Sequence, residues 1–249
     1  MPKMTLEVFQ KDYDVKLPNA SAPLIRLKTR SSVFSPTDTS LLLIEASQKL
    51  IKNPGKTLDL GCGCGVTGLA LVELGLCSRP LYASDISAAA VDLTLENAKD
   101  RGIECVAQVG SLFDPWSEER FDYIVDDVSG ISDDIARISP WFPDGISCGA
   151  GRDGTRWIVS VLEEAPNYLK PHGVLLFPVL SLSDEKKIMG VAHERFSSVE
   201  VVLDRQWVLP ESICANPAVL SKLIEDGVVS CVRKFGKYIW WTKIFAAWS

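Results

Sequence analysis

The sequence predicts an α/β fold: a doubly wound, mostly parallel sheet of seven strands that ends in an antiparallel C-terminal hairpin strand. From residue 57 onward, short apolar runs of strand type alternate with helical patterns, as they do in successive βαβ units. The chain has 249 residues and 47% hydrophobic content, which suits one domain with a large core. We therefore expect a single domain over 1–249, with a cover segment and helix at 1–52 and the core at 57–249.

The first helix is predicted within the cover segment. Residues 33–43 predict an extended segment, then a cluster of polar residues that can cap a helix, and then the start of an amphipathic helix that ends near Leu50. Prolines at positions 18, 23 and 36 interrupt periodic structure, so we expect the segment to wrap over a cleft in the core.

The core elements follow in alternating order. Strands are predicted at 58–60, 81–84, 104–109, 121–125, 173–180 and 199–207, and helices at 66–74, 88–98, 155–169 and 184–195. Residues 228–232 and 237–246, joined by a turn at Phe235-Gly236, predict the closing hairpin. The segment 210–226 interrupts this arrangement, and it fits either a lid or an ordinary surface insertion.

A glycine turn follows the first core strand in the sequence Leu-Asp-Leu-Gly-Cys-Gly-Cys-Gly at 58–65. Gly61, Gly63 and Gly65 can adopt positive φ without a steric penalty, and the helix after them presents free N–H groups and a positive dipole end. The turn is therefore predicted to cradle a ligand. Asp59 precedes it inside an apolar strand, where a buried carboxylate needs a cation or hydrogen-bond donors.

A second acid ends the next strand. Asp85 lies at the position from which a doubly wound sheet can hydrogen-bond both hydroxyls of a ribose, and Ser87 then caps a helix. A solvated strand-end acid is the alternative. NAD enzymes use an acid at the same place, so an NAD-dependent oxidoreductase also remains open at this point.

Charge and cysteine content narrow the function classes. The formal net charge of -6 and the pI of about 5.1 indicate no excess of positive charge that would attract a phosphate backbone. We therefore expect no nucleic-acid partner. No secretion signal and no apolar run of about 18 residues is present, which predicts a cytoplasmic chain without a membrane partner. The seven cysteines lack paired spacing and are expected to be reduced thiols, with Cys62 and Cys64 as small filler in the turn and no metal.

The acid followed by the glycine turn resembles the first motif of class I S-adenosylmethionine-dependent methyltransferases. Together with Phe-Ser-Pro-Thr-Asp-Thr-Ser at 34–40, Phe-Asp-Tyr-Ile-Val-Asp-Asp at 121–127 and Gly-Ala-Gly-Arg-Asp-Gly at 149–154, it is similar to the protein-glutamine methyltransferases that modify release factors. The resemblance runs from Val33 to about Leu180. It implies a Rossmann-like fold and S-adenosylmethionine as cofactor. The cofactor-binding residues that it implies are Thr39, Asp59, Gly61, Cys62, Gly63, Gly65, Asp85, Ile86, Ser111 and Leu112.

The sequence departs from that group at the acceptor signature. The group has Asn-Pro-Pro-Tyr after the fourth strand, where this chain has Asp127-Val128-Ser129-Gly130, and Ser111 stands where the group has an acid facing adenine. Without the prolines and the aromatic ring, the sequence predicts methylation of an amine or hydroxyl on a small molecule. Protein-glutamine methylation is the alternative, and a catalytically silent cofactor-binding module belongs to a further class.

Two acids and an aromatic loop are the predicted catalytic and substrate-binding residues. Asp126 and Asp127 could accept a proton from the acceptor, and because successive strand residues face opposite ways, Asp127 is favoured over Asp126. A loop acid satisfied by backbone donors is the alternative. Trp141, Phe142 and Arg152 are predicted to bind the substrate. The apolar C-terminal hairpin fits either a buried strand or a dimer contact, so a monomer and a homodimer both remain open.

Overall fold

The computed structural model describes residues 10–16, 24–142 and 149–249. The ten strands in these ranges are β1 (Gln10–Val15), β2 (Ile25–Arg30), β3 (Thr57–Leu60), β4 (Leu81–Asp85), β5 (Cys105–Val109), β6 (Phe121–Asp126), β7 (Leu169–Leu180), β8 (Ser198–Val208), β9 (Val232–Lys234) and β10 (Lys237–Trp248). The eight α-helices in these ranges are α1 (Asp38–Leu50), α2 (Val66–Glu73), α3 (Ala88–Asp100), α4 (Asp133–Ile138), α5 (Arg156–Glu164), α6 (Glu185–Arg195), α7 (Glu211–Cys214) and α8 (Pro217–Glu225).

The main sheet has the strand order β5-β4-β3-β6-β7-β10-β8. The first five of these strands are parallel, whereas β10 runs antiparallel to both β7 and β8, and β9 pairs with the start of β10. The predicted doubly wound sheet of seven strands with an antiparallel C-terminal strand is therefore confirmed, with β9 added beside it. Because parallel strands end at the same edge, the loops after β3, β4, β5, β6 and β7 meet there.

Helices cover both faces of this sheet. One core cluster joins buried residues of α1, α2 and α3 to the sheet, among them Leu43, Leu69 and Leu93. A second cluster on the other face joins α5 and α6 to Phe177 and its neighbours. The strands are apolar on both sides for this reason, as is typical of parallel sheets.

The N-terminal segment contains a two-stranded antiparallel sheet, β1 with β2, that the sequence analysis did not predict. Asn97 on α3 holds this sheet to the core: its side-chain amide donates to the backbone carbonyls of Lys28 and Cys64, and its Oδ1 accepts from the Lys28 N–H. The segment between the two strands, which includes Pro18 and Pro23, lies outside the described residues. The predicted first helix is confirmed as α1.

Three predicted elements have clearly different boundaries in the structure. The helix expected over 155–169 ends at Glu164 and continues as a short 3₁₀ turn over Ala165–Asn167, because Pro166 has no N–H to donate and its ring clashes with the preceding turn. Strand β7 begins at Leu169 instead of residue 173. In the hairpin, the first strand is β9 (Val232–Lys234) instead of 228–232.

The interrupting segment folds into α7 and α8. Ile213, Leu220 and Leu223 are buried in a third core cluster that also contains Leu182 and Trp240. This places the segment against the C-terminal edge of the sheet. No helix in the described ranges is both long enough and apolar enough to cross a membrane.

Strand β10 lies inside the sheet, between β7 and β8. Its side chains Trp240, Ile244 and Phe245, from which a dimer contact was one expectation, are buried in the chain's own core. A strand with neighbours on both edges and helices on its faces can absorb more apolar side chains than a hairpin with one buried face.

Candidate active site

A cavity of about 820 Å³ opens at the carboxyl edge of the sheet. Its walls come from the glycine turn after β3, the ends of β4, β6, β7 and β8, the first part of β10, and residues 32–40 of the N-terminal segment. The strand order reverses between β3 and β6, so the cavity lies at the topological switch point where open α/β sheets bind ligands.

The glycine turn has the positive φ angles that the sequence predicts. Gly61 and Gly63 have φ values of 77° and 55° and both line the cavity. A Cβ on Gly61 would lie 3.0 Å from Val128 Cγ1, so the turn also needs a glycine in order to approach the loop after β6. Gly65 has a φ of 81° but does not line the cavity; its Cβ would lie 2.9 Å from Leu69 Cδ1, which assigns it to packing.

Asp59 lies beneath the turn and not in the cavity wall. Its Oδ2 accepts from the Gly68 N–H at 2.9 Å, and a Cβ on Gly68 would lie 2.7 Å from the same oxygen. Burial raises the pKa of Asp59 to about 7, against the opposing hydrogen bond from Gly68. Asp59 therefore fastens the first turn of α2 to β3, and any effect on a ligand passes through the turn.

Asp85 closes the cradle from the next strand. Its Oδ2 accepts from the Gly63 N–H at 3.0 Å and its Oδ1 from the Ser87 N–H at 2.8 Å. Each carboxylate oxygen can accept a second hydrogen bond, so both remain able to bind hydroxyl groups. The neighbouring Ile86 lines the cavity with 70% of its surface exposed, an apolar contact that a ligand ring can cover.

The charge of the cavity favours a cation. Asp38, Asp85 and Asp127 line it, and no lysine, arginine or histidine of the described residues does. S-adenosylmethionine fits the half of the cavity around the glycine turn and Asp85, which we call the cofactor half. It carries a sulfonium and an ammonium, a ribose that could bind to Asp85, and a flat base that could cover Ile86. Of the predicted cofactor-binding residues, those in the cavity wall are Thr39, Gly61, Cys62, Gly63, Asp85, Ile86, Ser111 and Leu112.

The two candidate catalytic acids lie in different places. Asp127 lines the cavity, and its Oδ2 accepts a 2.6 Å hydrogen bond from Ser40 Oγ on α1. Burial raises the pKa of Asp127 well above its usual value, Asp59 and Asp126 raise it further, and Ser40 opposes them. Asp126 is fully buried below the cavity: its Oδ1 accepts from the Val128 N–H at 3.1 Å, and its Oδ2 has no partner among the described residues.

Aromatic side chains form the other half of the cavity. The predicted Trp141 and Phe142 are in its wall, with ring centroids 5.4 Å from Trp240 and 5.2 Å from Phe34, respectively. The cavity wall also contains four aromatic residues that were not predicted to belong to the site: Phe34, Trp157, Trp207 and Trp240. Trp207 and Trp240 form a cross-strand pair of β8 and β10, a signal that appears only once the hairpin register is known.

Arg152 lies outside this cavity. Its guanidinium forms a 3.0 Å ion pair with Asp226 at a separate surface depression. Residues 143–148 of the preceding loop, which include Pro143 and Cys148, lie outside the described residues. The prediction that Arg152 binds substrate therefore has no support from its position.

Comparison with known proteins gives a family match to part of the chain and several similar relatives. The family model described as "Methyltransferase small domain" matches residues 24–127. A release factor glutamine methyltransferase of Geobacter sulfurreducens is 26% identical over 64% of this chain and 57% of its own length, and a candidate protein N5-glutamine methyltransferase of Methanocaldococcus jannaschii is 28% identical over 71% and 87%. A ribosomal RNA small subunit methyltransferase C of Alcanivorax borkumensis is 33% identical over 65% and 43%.

The solved structures agree in fold. A 16S rRNA methyltransferase of T. thermophilus, in complex with S-adenosylmethionine and guanosine, superposes with a TM-score of 0.59 and 17% identity over 96% of this chain and 50% of its own. The chain thus spans about half the length of that structure and 57% of the Geobacter relative.

The comparisons correct one expectation. By their names, these relatives modify glutamine in proteins or ribosomal RNA, which are macromolecules. The predicted small-molecule acceptor without a nucleic-acid partner is therefore wrong; net charge reports on the average surface and does not identify the acceptor. Residues 24–127 match the methyltransferase small domain model, and the chain shares the fold of a methyltransferase that was solved in complex with S-adenosylmethionine.

Proposed function

We propose that this protein is an S-adenosylmethionine-dependent methyltransferase that transfers a methyl group to a side-chain nitrogen of a protein. The observation that carries the proposal is Asp127, a carboxylate directly after β6, between the cofactor half of the cavity and the aromatic half. Protein-glutamine methylation, the alternative from the sequence, falls within this proposal, and the names of the Geobacter and Methanocaldococcus relatives support it.

The charge of the wall supports a nitrogen acceptor. The carboxylates of Asp38 and Asp127 offer oxygens to N–H groups, and the described wall has no cationic side chain that would compete for them. Asp127 already accepts from Ser40, but a carboxylate offers about four acceptor positions, so it can also accept from the substrate.

The chemistry requires mainly alignment and removal of one proton. When bound, the cofactor supplies an electrophilic methyl group on sulfur. The bond from this methyl carbon to sulfur would break as the acceptor nitrogen bonds to the carbon, leaving a neutral thioether. The acceptor nitrogen would thereby become acidic, and Asp127 would take its proton. A pKa raised by burial makes this carboxylate a stronger base, while a cation in the cofactor half favours its charged form before reaction. The aromatic side chains exclude water from the cleft.

Transfer of a tritiated methyl group to a cell extract tests the proposal. We expect label in macromolecules that protease releases and nuclease does not, and a Gly-Gly-Gln peptide is the first defined substrate to assay. Label that nuclease releases would contradict a protein acceptor and indicate RNA. Label confined to small molecules would contradict the proposal altogether.

A matched pair of variants links the label to the site. Asp127→Asn is expected to keep affinity for S-adenosylhomocysteine and to lose at least about tenfold in transfer, through loss of the base. Asp122→Asn removes an acid from the surface end of the same strand, where it pairs with Lys170, and should leave transfer unchanged.

A further inference from the structure

A phenylalanine at the tip of the C-terminal hairpin is fully exposed. Lys234 on β9 pairs with Lys237 on β10, so Phe235 and Gly236 form a two-residue turn between the strands. The relative exposure of Phe235 is 104%, whereas the next highest value among the exposed large apolar side chains is 70%, for Ile86 in the cavity. The ring of Phe235 is therefore available to a partner outside the chain.

The backbone at Phe235 is also unfavourable. Phe235 and Gly236 have φ values of 50° and 77°, the pair of positive angles that a type I′ turn requires. Asparagine, aspartate and glycine adopt the first of these positions readily, whereas a bulky side chain there is a conformational outlier. Because the ring is fully exposed, no packing within the chain offsets this cost. A residue that is costly both in backbone and in exposure indicates a binding role.

Three cations flank this ring along the hairpin. Arg233, Lys234 and Lys237 are exposed, and no ion pair among the described residues includes them. Arg233 packs over the ring of Tyr238, and Lys234 makes a 3.5 Å hydrogen bond to the neutral Gln206. Lys234 and Lys237 are directly opposite each other in the strand ladder. Like charges at such a pair repel, so an anion that binds between them stabilises the hairpin.

The hairpin tip projects beyond the edge of the sheet at which the cavity opens. Leu180, the last residue of β7, is level with Thr242, and β10 extends from there to the tip. Trp240 lines the cavity, and at about 3.4 Å per residue Lys237 lies about 10 Å beyond it along the strand. A partner bound to the tip therefore lies beside the aromatic half of the cavity.

We propose that the hairpin tip, residues 232–237, binds a single-stranded nucleic acid that docks beside the cavity. Arg233, Lys234 and Lys237 pair with phosphate groups, and a base stacks on the ring of Phe235. Cations beside an exposed aromatic ring are the combination by which proteins bind single strands without sequence preference. The strand is a docking partner and not the methyl acceptor. Such docking is compatible with a protein acceptor that is itself bound to RNA.

Two other anionic partners share only part of this chemistry. An acidic peptide pairs with the cations but brings no flat base for the ring. Binding to a membrane surface grows with the apolar area that is buried, and the turn offers a single large ring. One exposed ring among three cations therefore favours a nucleic acid over both.

Fluorescence anisotropy with a labelled oligoadenylate of twelve nucleotides tests the proposal on the full chain. We expect the logarithm of the binding constant to fall with the logarithm of the salt concentration with a slope of about -2, since each phosphate contact on a single strand contributes about -0.7. The double variant Lys234→Gln with Lys237→Gln should reduce the size of this slope by about 1.4. Phe235→Asn should weaken binding about tenfold and leave the slope unchanged, because it removes stacking and no charge.

Two controls separate these effects from loss of the fold. Asparagine suits the left-handed position, so Phe235→Asn should be at least as stable as the wild type. The double variant Lys52→Gln with Lys99→Gln removes two exposed lysines near the opposite, amino edge of the sheet, and no ion pair among the described residues includes either. We expect this control to leave the salt slope unchanged. Unchanged affinity for S-adenosylhomocysteine would show that each variant folds.

The choice of ligand distinguishes the possible partners. A duplex of the same length, whose bases are already stacked, should bind with no dependence on Phe235. Equal affinity for polyglutamate, or binding to phosphatidylserine vesicles without binding to the oligonucleotide, would overturn the proposal in favour of an acidic protein or a membrane. Oligonucleotide binding that survives both hairpin variants, or no binding at all, would also overturn it. Methyl transfer to protein is measured separately, so these outcomes leave the proposed function standing.

Discussion

Asp126→Asn removes a buried carboxyl whose charge the protein does not compensate. Asp126 is fully buried, its Oδ2 has no hydrogen-bond partner among the described residues, and burial raises its pKa to about 7 from 3.8, against the hydrogen bond from the Val128 N–H. Asparagine has nearly the same shape and keeps an oxygen for that N–H. The substitution therefore changes the charge and leaves the packing almost intact.

The direction in which stability changes with pH follows from the number of protons that the folded and unfolded states bind. Between pH 4 and 7 the folded protein binds the Asp126 proton more tightly than the unfolded chain does, so the free energy of unfolding falls as the pH rises through this window. The pKa difference of about three units, at about 1.4 kcal/mol for each, corresponds to a loss of about 4 kcal/mol. The variant lacks this loss. Its stability relative to wild type should rise by about 4 kcal/mol from pH 4 to pH 7 and then level off.

Urea unfolding at several pH values measures this difference. The control is Asp122→Asn: burial raises the pKa of Asp122, but the hydrogen bonds from Lys170 and from the Lys56 N–H, together with the charges of both lysines, outweigh burial and leave the pKa lowered. That variant should be less stable than wild type at pH 7, with a difference that shrinks as the pH falls. A difference between Asp126→Asn and wild type that is constant from pH 4 to 8 would refute the assignment of a costly buried charge.

The remaining predictions concern the site. Asp85→Ala should weaken binding of S-adenosylhomocysteine by about 1.5–3 kcal/mol, the range for hydrogen bonds to a charged group. Gly63→Val should abolish binding, since position 63 lies in the cavity wall with a φ of 55°, which valine rarely adopts. Unchanged affinity of both variants in titration calorimetry would contradict cofactor binding at the glycine turn. Ser40→Ala removes a hydrogen bond that stabilises the Asp127 carboxylate, so the acid limb of the pH–rate profile should move to higher pH. A pH–rate profile that does not move would show that Asp127 does not accept the proton.

The cofactor half of the site was predictable because its residues are close in sequence or fixed by fold. The turn 58–65 and its helix are one local motif, and Asp85 follows from the order of parallel strands. The aromatic half was not. Trp207 and Trp240 meet only through antiparallel pairing, and Ser40 reaches Asp127 across 87 residues of chain. A strand tryptophan is usually predicted to be a core residue, and here Trp240 is buried, Trp207 is half-buried, and both line the cavity.

On the proposed function, β6 divides the chain into a part that binds the methyl donor and a part that binds the acceptor. The loops after β3, β4 and β5 come before residue 127, where the methyltransferase small domain match also ends. Strands β8 and β10 come after it, as do the helices α7 and α8 that pack around Trp240. A recombination or exchange of the chain after residue 127 can thus give the same methyl-donor machinery a different target. The same boundary marks where a chimera should be joined to test this division.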